Sequence, residues 1–331
     1  MQLDRETAKR FHALGVMIRK DRLFGVIVDV DGNVVGQAGG HEGPAIPAML
    51  MHDLRATDVD SVVDGVAALV GELMALHSDF TQPVGLGVEL SGQVDRDRGV
   101  VRRSHRMRWD GPVPLAERLE ERTGHPTMVE HDVKALALAE QMWGLGQGRR
   151  SFAVVTAGIG VGAGLVIDHR LWRGQSGTAG ELGHMVVDPL GLECECGNRG
   201  CLETVAGSAG ILRTMQASDI DAASKLAQQG DEVAVRAFGH AGEVLGHGLS
   251  WLVNLLNLEL VIVRADEHLL ASGVYEQAAR RAFLEHSFYT SGEECELVIQ
   301  PRDDWLGARS AASMVFRWLP DRVAELGDRE L

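Results

Sequence analysis

The sequence predicts an α/β protein of one large or two moderate domains, and three observations carry this. The chain has 331 residues with 45% hydrophobic content, enough for a sizeable core. Glycine is abundant at 40 residues while aromatic content is only 5%, which suits many tight strand-to-helix turns. Short apolar runs alternate with longer segments of helical period along the chain.

Taken in order, residues 1–12 read as a short polar helix or arm. Leu14–Ile18 is a strand-like run, and Leu23–Val28 is a second one after the charged turn Arg19–Arg22. Asp31-Gly32 is a hairpin-turn signal, and Val34-Val35 is expected to begin a third strand. A helix follows from about Asp60 to about Ser78, with Val62, Val66, Leu69, Val70 and Leu73 at helical spacing. Val84–Leu90 is a buried strand ending at Ser91-Gly92. Residues 99–126 read as a loop and a helix that Val113-Pro114-Leu115 starts and Gly124-His125-Pro126 ends. Met128–Val133 leads into an apolar helix through Met142. Asp132, at the helix N-terminus, suits a general base or a hydroxyl clamp as well as an N-cap.

Phe152–Val155 and Leu165–Asp168 are strands flanking the glycine-rich turn Thr156–Gly164. Gly158 and Gly160 make that turn a phosphate-loop candidate, or simply a packed hairpin. Helices are expected over 208–217, 219–228, 231–256 and 275–287, and from Leu306 onward. Strands are expected at Leu260–Val263 and Glu296–Gln300.

The stretch from Glu181 to Glu203 holds three of the four cysteines, Cys194, Cys196 and Cys201, with His184 ten positions before the first. Three sulfurs and an imidazole complete a tetrahedral zinc set with no open position, so the metal reads as structural. Gly197 and Gly200 fall where the chain must curl round the ion. A loop of free thiols is the plainer alternative, and a redox Cys-x-Cys pair would leave Cys201 unexplained. Glu181 and Glu203 bracket the site. Fixed carboxylates beside an imidazole suit the hydroxyls of a polyol, though both could be solvated surface acids.

Glu181-x-x-His184 together with Cys194-x-Cys196-Gly197-x-x-Gly200-Cys201-x-Glu203 resembles the signature of the ROK family of repressors, uncharacterised proteins and sugar kinases. The resemblance runs from about Leu14 to about Ala312. It implies an α/β, actin-like (RNase H-like) two-domain sugar kinase fold with a structural zinc loop and a sugar site in the cleft. A smaller domain is expected over 13–125 with a returning helix at about 306–320, and a larger one over 126–305. The implied substrate residues are Glu181, His184, Glu203, His131, Gly92 and Arg106. The implied base is Asp132, and the implied phosphate contacts are Gly158 and Gly160.

Departures from the family kinases matter as much. Their first hairpin turn carries an Asp followed by Gly-Gly-Thr, where this chain has Met17 and then Ile18-Arg19-Lys20-Asp21. Thr156-Ala157 replaces Gly-Thr in the second turn, and Arg264-Ala265-Asp266 replaces a Gly-Gly that lies under the adenine. Bulky side chains block the backbone approach that a phosphate cradle requires, which argues against ATP–Mg²⁺. Arg106 stands where an asparagine touches the sugar; an arginine there suits an acidic or phosphorylated sugar, or is a surface residue. His131-Asp132 resembles the repressor members, yet the first strand near residue 13 leaves no room for their N-terminal winged helix-turn-helix.

The expected function is therefore a carbohydrate-responsive sensor or regulator. The alternative is an ATP-dependent hexose or aminosugar kinase, glucokinase-like, with an unusual phosphate loop. A scaffolding role is a third possibility. The net charge of −15 argues against direct nucleic-acid binding. No apolar run reaches the ~20 residues of a membrane span, and the free cysteines suit the cytoplasm. A homodimer or higher oligomer is expected from the family.

Overall fold

The computed structural model describes residues 11–35, 49–76, 83–302 and 304–326. Within them the chain divides into two compact units. The first takes the described residues of Met1–Gln147, Gln175–Thr178 and Asp304–Leu331; the second takes Gly148–Gly174 and Ala179–Asp303.

The first unit is built on a five-stranded sheet. Its strands are β1 (His12–Ile18), β2 (Arg22–Asp29), β3 (Met49–Asp53), β4 (Leu86–Leu90) and, after the small hairpin β5 (Gln93–Asp95) and β6 (Val100–Arg103), β7 (Thr127–His131). The order is β3-β2-β1-β4-β7, antiparallel from β3 to β1 and parallel from β1 to β7. Register sets Ile18, Leu90 and His131 side by side, so the first hairpin turn, Ser91-Gly92 and Asp132 share the carboxyl edge of the sheet. Ligands of open α/β sheets bind at such edges.

Three helices follow in chain order: α1 (Val59–Leu76), α2 (Leu115–Thr123) and α3 (Asp132–Trp143). The predicted apolar face of α1 is buried as read. The long helix Asp304–Leu326 also lies on this sheet. It comes so close that a Cβ on Gly15 or Gly87 would meet its backbone at Ala308 O (2.0 Å) or Ala311 O (1.9 Å).

The second unit repeats the plan. Its strands are β8 (Phe152–Ala157), β9 (Val161–Ile167), β10 (Arg170–Trp172), β11 (Leu260–Ala265) and β12 (Glu296–Pro301). They run in the order β10-β9-β8-β11-β12, with the same sequence of antiparallel and parallel pairs. This duplicated topology is the actin-like fold. Its helices are α4 (Glu203–Ala206), α5 (Ser208–Met215), α6 (Ile220–Gln228), α7 (Glu232–Leu256), α8 (Glu267–Leu270), α9 (Val274–His286) and α10 (Ser291–Glu294), which makes Asp304–Leu326 α11.

Three sequence expectations change. Val34 forms only an isolated bridge to Val28, and the third strand is β3 at Met49–Asp53. A two-residue apolar run after a turn is too short to continue a ladder. The 99–126 loop contains β6. The boundary falls near Gln147 and not at 125, because β7 pairs with β4 and carries α3 with it. The expected helix at residues 1–12 lies largely outside the described residues.

Candidate functional site

In the second unit, the segment Glu181–His184 lies across β9. A Cβ on Gly180 or Gly183 would meet Ala163 O or Val161 O at 2.0 Å, so only glycine lets the segment pack there. The chain then turns out and returns through bridges Val186↔Cys201 and Glu193↔Arg199. At the return, Gly200 has φ +65 and lies so tight on Asp188 O that no side chain fits. Leu182, Cys201 and Leu202 anchor the loop ends in the core.

This folding brings His184, Cys194, Cys196 and Cys201 together, with their ligand atoms all within 4.8 Å of one another. Cys194 Sγ is 3.4 Å from His184 Nδ1, and Cys196 Sγ is 3.6 Å from Cys201 Sγ. Ligands of a tetrahedral zinc ion with ~2.3 Å bonds stand roughly 3.8 Å apart, so both the donor set and its spacing fit that ion. Burial, reinforced by a bond to Glu203, pushes the Cys194 thiol up, and a bound cation would replace that proton.

The two bracketing carboxylates converge on the same imidazole. Glu203 Oε1 is 3.4 Å from His184 Nδ1 and 3.0 Å from Cys194 Sγ. Glu181 Oε2 is 3.8 Å from His184 Nε2. With Nδ1 turned to the sulfurs, Nε2 faces outward beside Glu181. All three side chains are partly exposed, at 40% for Glu181, 32% for His184 and 19% for Glu203.

Gly158 and Gly160 close the β8–β9 turn, Gly158 N donating to Gly160 O at 3.1 Å. The turn is already occupied from within the chain. Asp266, just beyond β11, lays its carboxylate on Gly158, where a Cβ would meet Oδ2 at 2.1 Å. Ser208 N at the start of α5 donates to Gly158 O (2.9 Å), and Ser208 Oγ is 3.1 Å from His268 Nε2. Sequence reading noticed the Arg264-Ala265-Asp266 replacement but had no signal for this contact.

In the first unit, Asp132 is the first residue of α3, and the N-cap position is His131. Asp132 Oδ1 accepts Val133 N at 2.6 Å and lies 3.1 Å from His131 Nδ1. Gly92 has φ +155 and abuts Arg103 O and Ser104. Ser104 and Trp109 exchange backbone bonds, and the Trp109 indole donates to Thr57 O (2.7 Å), so Arg106 rides on a fixed loop. The first hairpin turn closes with Arg19 N donating to Arg22 O at 2.8 Å. Met17 is buried beside Glu89, which it pairs with in register. Glu89, Glu130 and Lys134 are fully buried charged residues that sequence reading passed over.

The family model described as "ROK family" matches residues 50–317. The chain belongs to the ROK family. ROK proteins similar to it fall into two kinds. A glucokinase of Thermotoga maritima is 31% identical over 63% of this chain and 72% of its own length. The DNA-binding transcriptional dual regulator NagC of Escherichia coli is 28% identical over 78% of this chain, which spans 64% of that relative. Among solved structures, a ROK family transcriptional regulator homologous to the E. coli MLC protein superposes with a TM-score of 0.81 at 23% identity, covering 97% of this chain and 81% of that one. A ROK hexokinase from Thermus thermophilus gives 0.77 at 25%, covering 94% and 100%. A sugar-related role and the actin-like fold follow; kinase and regulator relatives stand side by side. Among the described residues no helix is long and apolar enough to cross a membrane.

Proposed function

We propose that this ROK protein binds a sugar and acts as a carbohydrate-responsive sensor or regulator without phosphoryl transfer. The observation that carries the reading is Asp266 on Gly158. A carboxylate against the glycine turn repels phosphate where a nucleotide-binding turn would offer open backbone amides. Met17, buried in place of an acid at the first hairpin, supports it.

In this reading the sugar hydroxyls donate to Glu181 and Glu203 and meet Nε2 of His184. Asp132 and His131 take further hydroxyls, and Gly92 gives the ligand close access to backbone. Arg106 selects an acidic or phosphorylated sugar bidentately. A zinc ion, when bound, holds the loop and fixes His184; His184 Nδ1 and the sulfurs of Cys194, Cys196 and Cys201 would hold it. The chain works as a homodimer or larger assembly and passes the signal through a partner protein.

The second reading is an ATP-dependent hexose or aminosugar kinase with Asp132 as base. Gly158-Ile159-Gly160 and Asp132 favour it, as do the glucokinase relatives. Calorimetric titration decides between the two. The zinc-loaded protein is titrated with ATP–Mg²⁺, with and without hexoses, aminosugars and sugar phosphates. Sugar binding without nucleotide binding is expected. Nucleotide binding that tightens with one sugar would overturn the sensor reading and identify a kinase substrate.

A further inference from the structure

Three of the four candidate metal ligands are sulfurs, and they differ in access. Cys196 is exposed, whereas Cys194 and Cys201 are buried. Where all three serve as thiolate ligands, access decides which one a small oxidant reaches first. Cys194 is also enclosed from within the loop, its Sγ 3.0 Å from Glu203 Oε1 and 3.4 Å from His184 Nδ1. That leaves Cys196 as the sulfur at the loop surface.

A second sulfur stands close to it and is fixed. Cys201 Sγ lies 3.6 Å from Cys196 Sγ, a separation that a modest side-chain movement closes to a disulfide bond. Cys201 is held by its antiparallel bridge to Val186 and has no exposed surface. Cys196 has room to move, because it stands before Gly197, where an added Cβ would meet nothing within 4 Å. The tight end of the loop is the other one, where Gly200 lies on Asp188 O. One sulfur is therefore anchored in the core of the second unit, and the other can swing onto it from the surface.

We propose that Cys196 and Cys201 are a peroxide-sensitive pair whose oxidation empties the zinc loop. The Cys196 thiolate attacks one oxygen of hydrogen peroxide, the O–O bond breaks, and hydroxide leaves, so that Cys196 becomes a sulfenic acid. The Cys201 thiolate then attacks the Cys196 sulfur, the S–O bond breaks, and a second hydroxide leaves as the disulfide forms. The two sulfurs give up two electrons between them, the peroxide takes both, and solvent protons turn the two hydroxides into water. His184 and Cys194 then remain as donors, too few for a tetrahedral zinc site, so the ion leaves and the loop loosens. A dithiol returns the two electrons and restores the donor set. The proposal rests on the zinc reading above and goes beyond it by making retention of the ion depend on oxidant.

The test uses the zinc-loaded full chain, reduced and freed of excess metal. C295A is run alongside, because Cys295 is buried and stands outside the four-ligand cluster. Both are treated with graded hydrogen peroxide. Released zinc is read with a chromogenic chelator, remaining thiols by maleimide labelling, and cross-links by peptide mass spectrometry. About one zinc ion should appear for every two thiols lost, with Cys196 joined to Cys201 and the two proteins alike. Scanning calorimetry should put the oxidised chain at the Tm of chelated wild type, and dithiothreitol with fresh zinc should restore both metal and Tm. Zinc that stays while the thiols are oxidised, a cross-link to Cys194 or Cys295, or Cys196 carried on to sulfinic acid with no cross-link overturns the proposal. A reduced chain that takes up no zinc overturns the metal reading, and this proposal with it.

Discussion

Replacing Cys196 with serine removes one of four converging donors, and its effect can be sized. A metal bound by the folded state adds RT ln(1 + [M]/Kd), about 4 kcal/mol when free zinc stands ~1,000-fold above Kd. A serine hydroxyl is a much poorer zinc ligand than a thiolate, so the same zinc no longer saturates the site and most of that contribution is lost. The damage stays local. Leu182, Cys201 and Leu202 remain in the core of the second unit, and each apolar side chain buried there contributes roughly 1.5–3 kcal/mol. For a unit of ~150 residues a loss of 1 kcal/mol lowers Tm by roughly 2–4 °C, so the expected fall is about 8–16 °C. Scanning calorimetry with and without chelator, alongside zinc content by mass spectrometry, reads it. C196S should melt where chelated wild type melts and should not respond to chelator. A wild type whose Tm ignores chelation, or a C196S protein that keeps zinc and Tm, would refute the metal assignment.

Four other outcomes are expected. D132N should weaken sugar binding by about tenfold, roughly 1.4 kcal/mol; an unchanged isotherm would reduce Asp132 to its local bond with Val133 N. D266N should tighten ATP–Mg²⁺ binding measurably, and identical titrations of wild type and variant would remove the repulsion argument. G87A should destabilise by about 3 kcal/mol because its Cβ meets Ala311 O of α11 at 1.9 Å, whereas G71A, with open space at an exposed position of α1, should stabilise by about 0.5–1 kcal/mol. Equal effects in denaturant melts would show that α11 yields at no cost. Burial holds the His125 imidazole below its ordinary range, so the unfolded chain binds more protons there. Stability is then complete above about pH 6.5 and drains as pH falls through that value; His12 and His247 act in the same sense. H125Q should show a shallower loss between about pH 6.5 and 5, and equal slopes would exclude His125.

Local chemistry made much of this legible. The four candidate metal ligands lie within one loop, so spacing alone gathered His184, Cys194, Cys196 and Cys201, and Glu181 and Glu203 came with them. Helices with a periodic apolar face, such as α1 and α7, ended within a few residues of where their pattern does. What stayed hidden depends on pairs distant along the chain. The place of β7 in the first sheet follows from its parallel ladder with β4, which no turn signal announces. Lys134 is buried and donates to Gly177 O, 43 residues along the chain, and nothing local in the sequence signals either.

The Asp266–Gly158 contact carries the most weight in the proposed reading among these distant pairs, and its effect on a phosphate can be sized. A carboxylate and a phosphate charge about 5 Å apart repel by roughly 3 kcal/mol at the effective dielectric of a protein surface. That is about a hundredfold in affinity for each phosphate charge so placed. A glycine turn binds phosphate by leaving backbone amides open to it, and here Gly158 N already donates to Gly160 O. Magnesium could screen the carboxylate, but the sequence resemblance puts Met17 where family kinases are expected to carry the acid that organises it. Glu181, His184 and Glu203 stand together and partly open, with Glu203 also against Cys194 Sγ. In the proposed reading, these partly open carboxylates and the carboxylate held against Gly158 favour recognition over transfer.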